Sequence, residues 1–129
     1  MLLEVYDIET LSNLFTYTGY CIQEKKYYQF VIHQSRNDLE ELLNHLMTRN
    51  ILMIGYNNDG FDYPVLHHII NHKEEYKQLS GDSLARNIYR KSQDVINMEF
   101  SAIADYNKFI PQLDLFKIWH FDNKAKYTR

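Results

Sequence analysis

One cysteine, Cys21, rules out an internal disulfide and points to a reducing compartment. No apolar stretch approaches the length of a membrane span. Glu4, Asp7 and Glu9 interrupt the first apolar run, so the start of the chain does not read as a secretory signal. Together these absences predict a cytoplasmic protein with no membrane partner. Two prolines and four glycines in 129 residues leave no low-complexity segment, internal repeat or interdomain linker. A basic excess is missing too. A net charge of -3 argues against a partner held mainly through its phosphates. Two divalent ions in an acidic pocket would reverse that local field.

What is present suffices for one core: 45% hydrophobic and 24% charged residues in a chain of single-domain length. Tyrosine stands out, with 11 copies against one tryptophan. Its flat face and polar tip suit half-buried strands, and they also suit base stacking. Packing is the commoner use.

Leu2–Tyr6 reads as a strand ending at Asp7, followed by a polar link, Thr10–Asn13. Leu14–Cys21 and Lys26–Ile32 complete a three-strand meander. From Arg36 to Arg49 the period changes. Leu39, Leu42, Leu43 and Leu46 fall at helical spacing, with Asn37 or Asp38 as cap. Ile51–Tyr56 has the pattern of a strand covered on both faces. Asn57–Gly60 is a polar loop, with Asp59 as a turn residue, and Pro64 suits the first position of a second helix. One or two helices are expected between Lys73 and Lys108, broken at Ser80–Asp82. Ile110–Leu115 is a last strand, with Pro111 at an edge or start. The order predicts an α/β domain with a mixed sheet flanked by helices.

Asp7 and Glu9 fall on one side of their strand, with Ile8 on the other. Two carboxylates that close repel unless a cation lies between them, and oxygen ligands suit Mg²⁺ or Mn²⁺. Alone, the pair reads more readily as a solvated strand end. Gly55-Tyr56-Asn57-Asn58-Asp59-Gly60-Phe61-Asp62-Tyr63-Pro64 adds a third acid, Asp62, at a strand-to-helix junction that a mixed sheet would set beside the first strand.

These two segments resemble the first and second motifs of the DnaQ-like DEDD 3′–5′ exonuclease domains. Closest in character are the proofreading domains of family B DNA polymerases and their phage relatives. The likeness covers residues 1–72 and reaches Ile110–Leu115 loosely. It implies an RNase H-like fold and two-metal hydrolysis at the 3′ end of single-stranded DNA, with RNA not excluded. It also implies that Asp7, Glu9 and Asp62 are catalytic metal ligands for Mg²⁺ or Mn²⁺, with Glu9 orienting the attacking water. Thr10, Asn57 and Phe61 match positions that contact the single-stranded 3′ end. Asn57 also reads as a turn residue, and Phe61 as core.

The family's third motif, which supplies a fourth carboxylate and a Tyr or His, has no counterpart after Asp114. Asp114 is held as a stand-in, although its matching position is not a ligand. The expectation is therefore a domain of residues 1–129 that is incomplete at its C-terminus, or one completed by a partner chain. The alternative is a catalytically inactive RNase H-like module that binds single-stranded nucleic acid or a protein. His68 and His72 have chelating spacing but no evident third ligand, so a solvated helix face is expected. The basic residues Lys117, Lys124, Lys126 and Arg129 could track a phosphate backbone.

Overall fold

The computed structural model describes residues 1–97 and 102–118. Strands β1 (Leu2–Leu11), β2 (Leu14–Cys21) and β3 (Lys26–His33) form the expected meander, and β4 (Arg36–Asn37) adds a short edge. Helix α1 (Leu39–Met47) leads to β5 (Ile51–Gly55). Helices α2 (Asp62–Asn71), α3 (Lys73–Tyr76) and α4 (Gly81–Asn97) follow, then a 3-10 turn at Asp105–Asn107 and the edge strand β6 (Gln112–Asp114). The six-stranded sheet has the order β4-β3-β2-β1-β5-β6. β1 is antiparallel to β2 and parallel to β5, which is parallel to β6. The chain is thus α/β, with a mixed open sheet flanked by helices. Among the described residues no helix is long and apolar enough to cross a membrane. Lys124, Lys126 and Arg129 lie outside the described residues.

Alternation along β1 sets the two faces. Tyr6 and Ile8 are buried, whereas Val5, Asp7 and Glu9 are exposed. The buried face meets Leu42 and Leu46 of α1, Leu66 and Ile69 of α2, and Leu84 and Ile88 of α4 in one core cluster. Several boundaries differ from expectation. β1 continues through Thr10 and Leu11, because its far half pairs with β2 up to Leu11↔Leu14. Arg36 and Asn37 leave the expected first helix to pair with β3. Asp38 accepts from Val31 N and from Arg36 Nε, which fixes that corner. Asn37 Oδ1 accepts from Leu39 N at the start of the helix. β5 was expected to be covered on both faces. It alternates buried and half-buried residues instead, because the helices pack against one side. Pro64 is the third residue of α2 rather than the first, since Asp62 already opens the helix.

Glu4 is fully buried on the core face. Its Oε2 accepts from Tyr17 OH and pairs with His45 Nε2 at 2.7 Å, and its Oε1 accepts from Arg49 Nη1 at 2.8 Å. Burial pushes the Glu4 carboxyl up, but the bonds from His45, Tyr17 and Arg49 outweigh it and hold the pKa below 4.5. A carboxyl with a depressed folded-state pKa stabilises the fold above its unfolded value, and that contribution is lost as pH falls through the folded one. Tyr17→Phe removes one donor from a buried charge. It should cost about 1–3 kcal/mol at neutral pH and blunt the acid sensitivity of the fold. Urea unfolding at pH 7 and at low pH reads both effects. An unchanged midpoint at pH 7 would contradict the role given to this network.

Candidate functional site

β1 and β5 pair in parallel only from Leu2↔Ile51 to Val5↔Ile54. Beyond Val5 they part, and the backbone edge of β1 that faced β5 needs another partner. The partner is Asp62, whose Oδ2 accepts from Ile8 N at 3.0 Å. The split lies at the carboxyl ends of the parallel strands, where open α/β sheets bind their ligands.

The loop between β5 and α2 brings Asp62 there. Asn57 takes a left-handed conformation, φ 57°, which asparagine tolerates better than most residues. Its carbonyl accepts from Gly60 N and Phe61 N. A Cβ on Gly60 would come within 2.6 Å of Asn57 Oδ1, and one on Gly55 within 2.9 Å of Asn58 Cβ. Gly55 is therefore favoured by close approach, whereas at Gly60 the exposed Asn57 side chain would have to turn aside.

Asp114, at the end of β6, clamps this loop. Its Oδ1 accepts from Asn57 N at 2.8 Å and from Phe116 N at 3.0 Å, and its Oδ2 from Asp59 N at 3.2 Å. That is the work of a loop anchor, with both oxygens already engaged. Asp59, read as a turn acid, is buried and bound by Lys108 Nζ at 2.8 Å and Lys117 Nζ at 2.7 Å. Lys108 also binds Asp105, and only 4% of its side chain is exposed. Sequence reasoning missed this clamp, because the lysines lie 49 and 58 residues from Asp59 and share no motif with it. Lys117 thus does local structural work in addition to any electrostatic one.

Asp62 is 7% exposed. Its pKa is raised to about 6, first by burial and then by the charge of Asp7, against the lowering effect of the Ile8 N–H. The Asp7 side chain is close enough to disfavour the Asp62 charge, so the two carboxyls are neighbours. The first turn of α2 favours an anion there, yet the charged form stays disfavoured. Glu9 shares the exposed face of Asp7, as the alternation predicted.

The remaining residues are placed differently. Thr10 is turned toward α4 and donates its hydroxyl to Ser92 Oγ at 3.0 Å. Phe61 is half-buried against the core cluster, and Asn57 is exposed. Among the described residues, no three His, Cys, Asp or Glu side chains converge closely enough to hold a metal. The Asp7–Asp62 pair nevertheless fits one divalent cation: two hard oxygen donors, one of them buried and with its ionisation uncompensated. The expected solvated histidine face is a packed cluster. His68 Nε2 meets Tyr76 OH at 2.7 Å, the His68 and His72 rings lie tilted with centroids 4.1 Å apart, and burial lowers the His68 pKa to about 4.

No family matches. Neither a protein-family model, nor a curated protein, nor a solved structure is similar to this chain at a meaningful level.

The Asp62 shift has a signed consequence. Its folded-state pKa lies above the ordinary 3.8, so stability should fall as pH rises from about 4 to about 6 and stay reduced above. Asp62→Asn keeps an acceptor for Ile8 N and removes the charge. It should gain up to about 3 kcal/mol at alkaline pH, with the gap closing below about pH 4. Thermal melts at the two pH values measure it, and a gap that is the same at both would refute the buried, repelled carboxylate.

Proposed function

We propose that this chain is a metal-dependent nuclease domain that hydrolyses the 3′ end of single-stranded DNA, on an RNase H-like fold. The observation that carries the reading is the Asp62–Asp7 pair: a buried carboxyl with its pKa raised to about 6 by burial and by its neighbour, set where two parallel strands separate. Strongly perturbed acids cluster at functional sites. The antiparallel meander followed by helix-linked parallel strands supports the RNase H-like assignment. So does the agreement of Asp7-Ile8-Glu9-Thr10 and Gly55–Pro64 with the family's first two motifs.

Mg²⁺ or Mn²⁺ would be held by Asp7 and Asp62, with water completing the shell, and it would offset phosphate charge and acidify a bound water. Glu9, on the same exposed face as Asp7, orients the attacking water and takes up its proton. Water adds to phosphorus, the bond from phosphorus to the 3′ oxygen breaks, and the proton passes to that oxygen. A nucleoside 5′-monophosphate leaves. Asn57 and the exposed ring of Tyr56 border the loop and suit sugar and base contacts.

A second reading is a module that binds single strands without turnover. It draws on Asp114, whose oxygens are committed to backbone N–H groups rather than to the acidic pair. Digestion of a 5′-labelled single strand with Mn²⁺ separates the two. We expect a 3′-to-5′ ladder that falls by at least about 100-fold in Asp7→Asn, beyond what loss of an outer-shell metal partner causes. Folded protein that binds strand and Mn²⁺ without a ladder would establish the non-catalytic module. A ladder unchanged in Asp7→Asn would dismiss the site altogether.

A further inference from the structure

At the turn end of the β1–β2 hairpin an open groove of about 400 Å³ is lined by Ser12, Asn13, Arg86, Tyr89 and Arg90. Two guanidinium groups converge here in a chain of net charge -3, and no carboxylate is among the lining residues. Arg86 and Arg90 are four residues apart on α4 and so share one face, about 6 Å apart. Asp82 engages Arg86 through its Nε at 3.2 Å, and 60% of the Arg86 side chain stays exposed to a ligand. Arg90 is exposed and has no ion pair among the described residues. The wall is fixed, because Ser92 Oγ donates to Tyr89 O at 2.6 Å and accepts from Thr10 Oγ1 of β1. Glu9 lies three residues before Ser12, about 10 Å along an extended chain.

We infer that this groove binds the phosphodiester backbone of a single-stranded nucleic acid, with Arg86 and Arg90 on phosphate oxygens and Tyr89 against a base. Planar guanidinium forks match phosphate oxygens in pairs, the uncharged Ser12 and Asn13 add donors, and a half-buried tyrosine offers a stacking face without regard to sequence. The groove lies at the same end of β1 as Asp7 and Glu9, so a strand held here is anchored away from its cleaved end. The choice of a strand over another phosphate carrier rests on the proposed function above.

The test is fluorescence anisotropy of a labelled oligothymidylate in EDTA across a salt series, where no cleavage occurs. Arg86→Gln/Arg90→Gln should weaken binding by about tenfold or more and lower the salt slope by about 1.4, two single-strand phosphate contacts at 0.7 each. Arg86→Lys/Arg90→Lys should keep the slope and lose part of the affinity, since charge stays and the fork goes. Both variants should melt with the wild type, because the altered side chains are exposed. Absent wild-type binding, or equal affinity and slope in the glutamine variant, overturns the groove. Displacement of the strand by an equimolar amount of inorganic phosphate overturns the strand assignment. Binding that depends on the arginines but shows no Mn²⁺-dependent ladder retains the groove and removes the nuclease reading. A ladder with arginine-independent binding does the reverse.

Discussion

The hydrogen bond from Ile8 N to Asp62 is the point on which the local architecture turns. A strand that leaves its parallel neighbour exposes backbone donors, and a buried donor without a partner costs on the order of 1–3 kcal/mol. The chain meets this with a side chain rather than another strand. Everything that positions that side chain then matters. The left-handed Asn57, the close approach that Gly55 permits, and the Asp114 and lysine clamps on the loop fix where α2 begins. The end of the β1–β5 pairing is thereby capped by an acid.

Two buried carboxyls flank the same strand and behave oppositely. Glu4 has three side-chain donors, and its pKa is lowered. Asp62 has only backbone donors, Ile8 N–H and its own N–H, and an acidic neighbour, and its pKa is raised to about 6. Burial disfavours both charges, so the difference lies in the partners. A satisfied buried charge makes structural sense by itself. The incompletely satisfied one is destabilising unless something else compensates it, and a cation or a proton in transit is the chemistry that does so. That contrast is what makes Asp62, and not Glu4, the candidate for the proposed chemistry.

Much of the fold was legible because it is local. Alternation gave the meander, leucine spacing gave α1, and Ser80–Asp82 marked the start of α4. The facing of Asp7 and Glu9 followed from period two alone. Errors arose where pairing, local or distant, overrode the residue pattern. β1 runs on because β2 returns beside it, and Arg36–Asn37 became a strand because β3 offered an edge. Asp59, Lys108 and Lys117 could not be grouped from spacing, since the sheet unites them only after β6 docks beside β5. Thr10 pointed to the ligand by motif, but its side chain falls on the even, core-facing side of β1 and is claimed by Ser92. The same alternation that placed Asp7 correctly would have shown this.

Under the proposed function, an acidic protein that binds a polyanion must keep its charges apart. Carboxylates that hold a cation repel a strand until the cation arrives, and guanidiniums placed beside them would be quenched as ion pairs. Here the fold keeps the groups on different elements. Asp7 and Glu9 lie on the exposed face of β1, Asp62 lies at the parted edge, and Arg86 and Arg90 project from α4 beyond the hairpin turn. The Thr10–Ser92 bond ties the helix to the strand between the two charge centres. Net charge over the whole chain hides this division, because a phosphate responds to the nearest charges within about 10 Å at ordinary ionic strength. A sequence total of -3 is therefore compatible with an anionic ligand, provided the arginines meet it first and a metal ion screens the carboxylates it meets last.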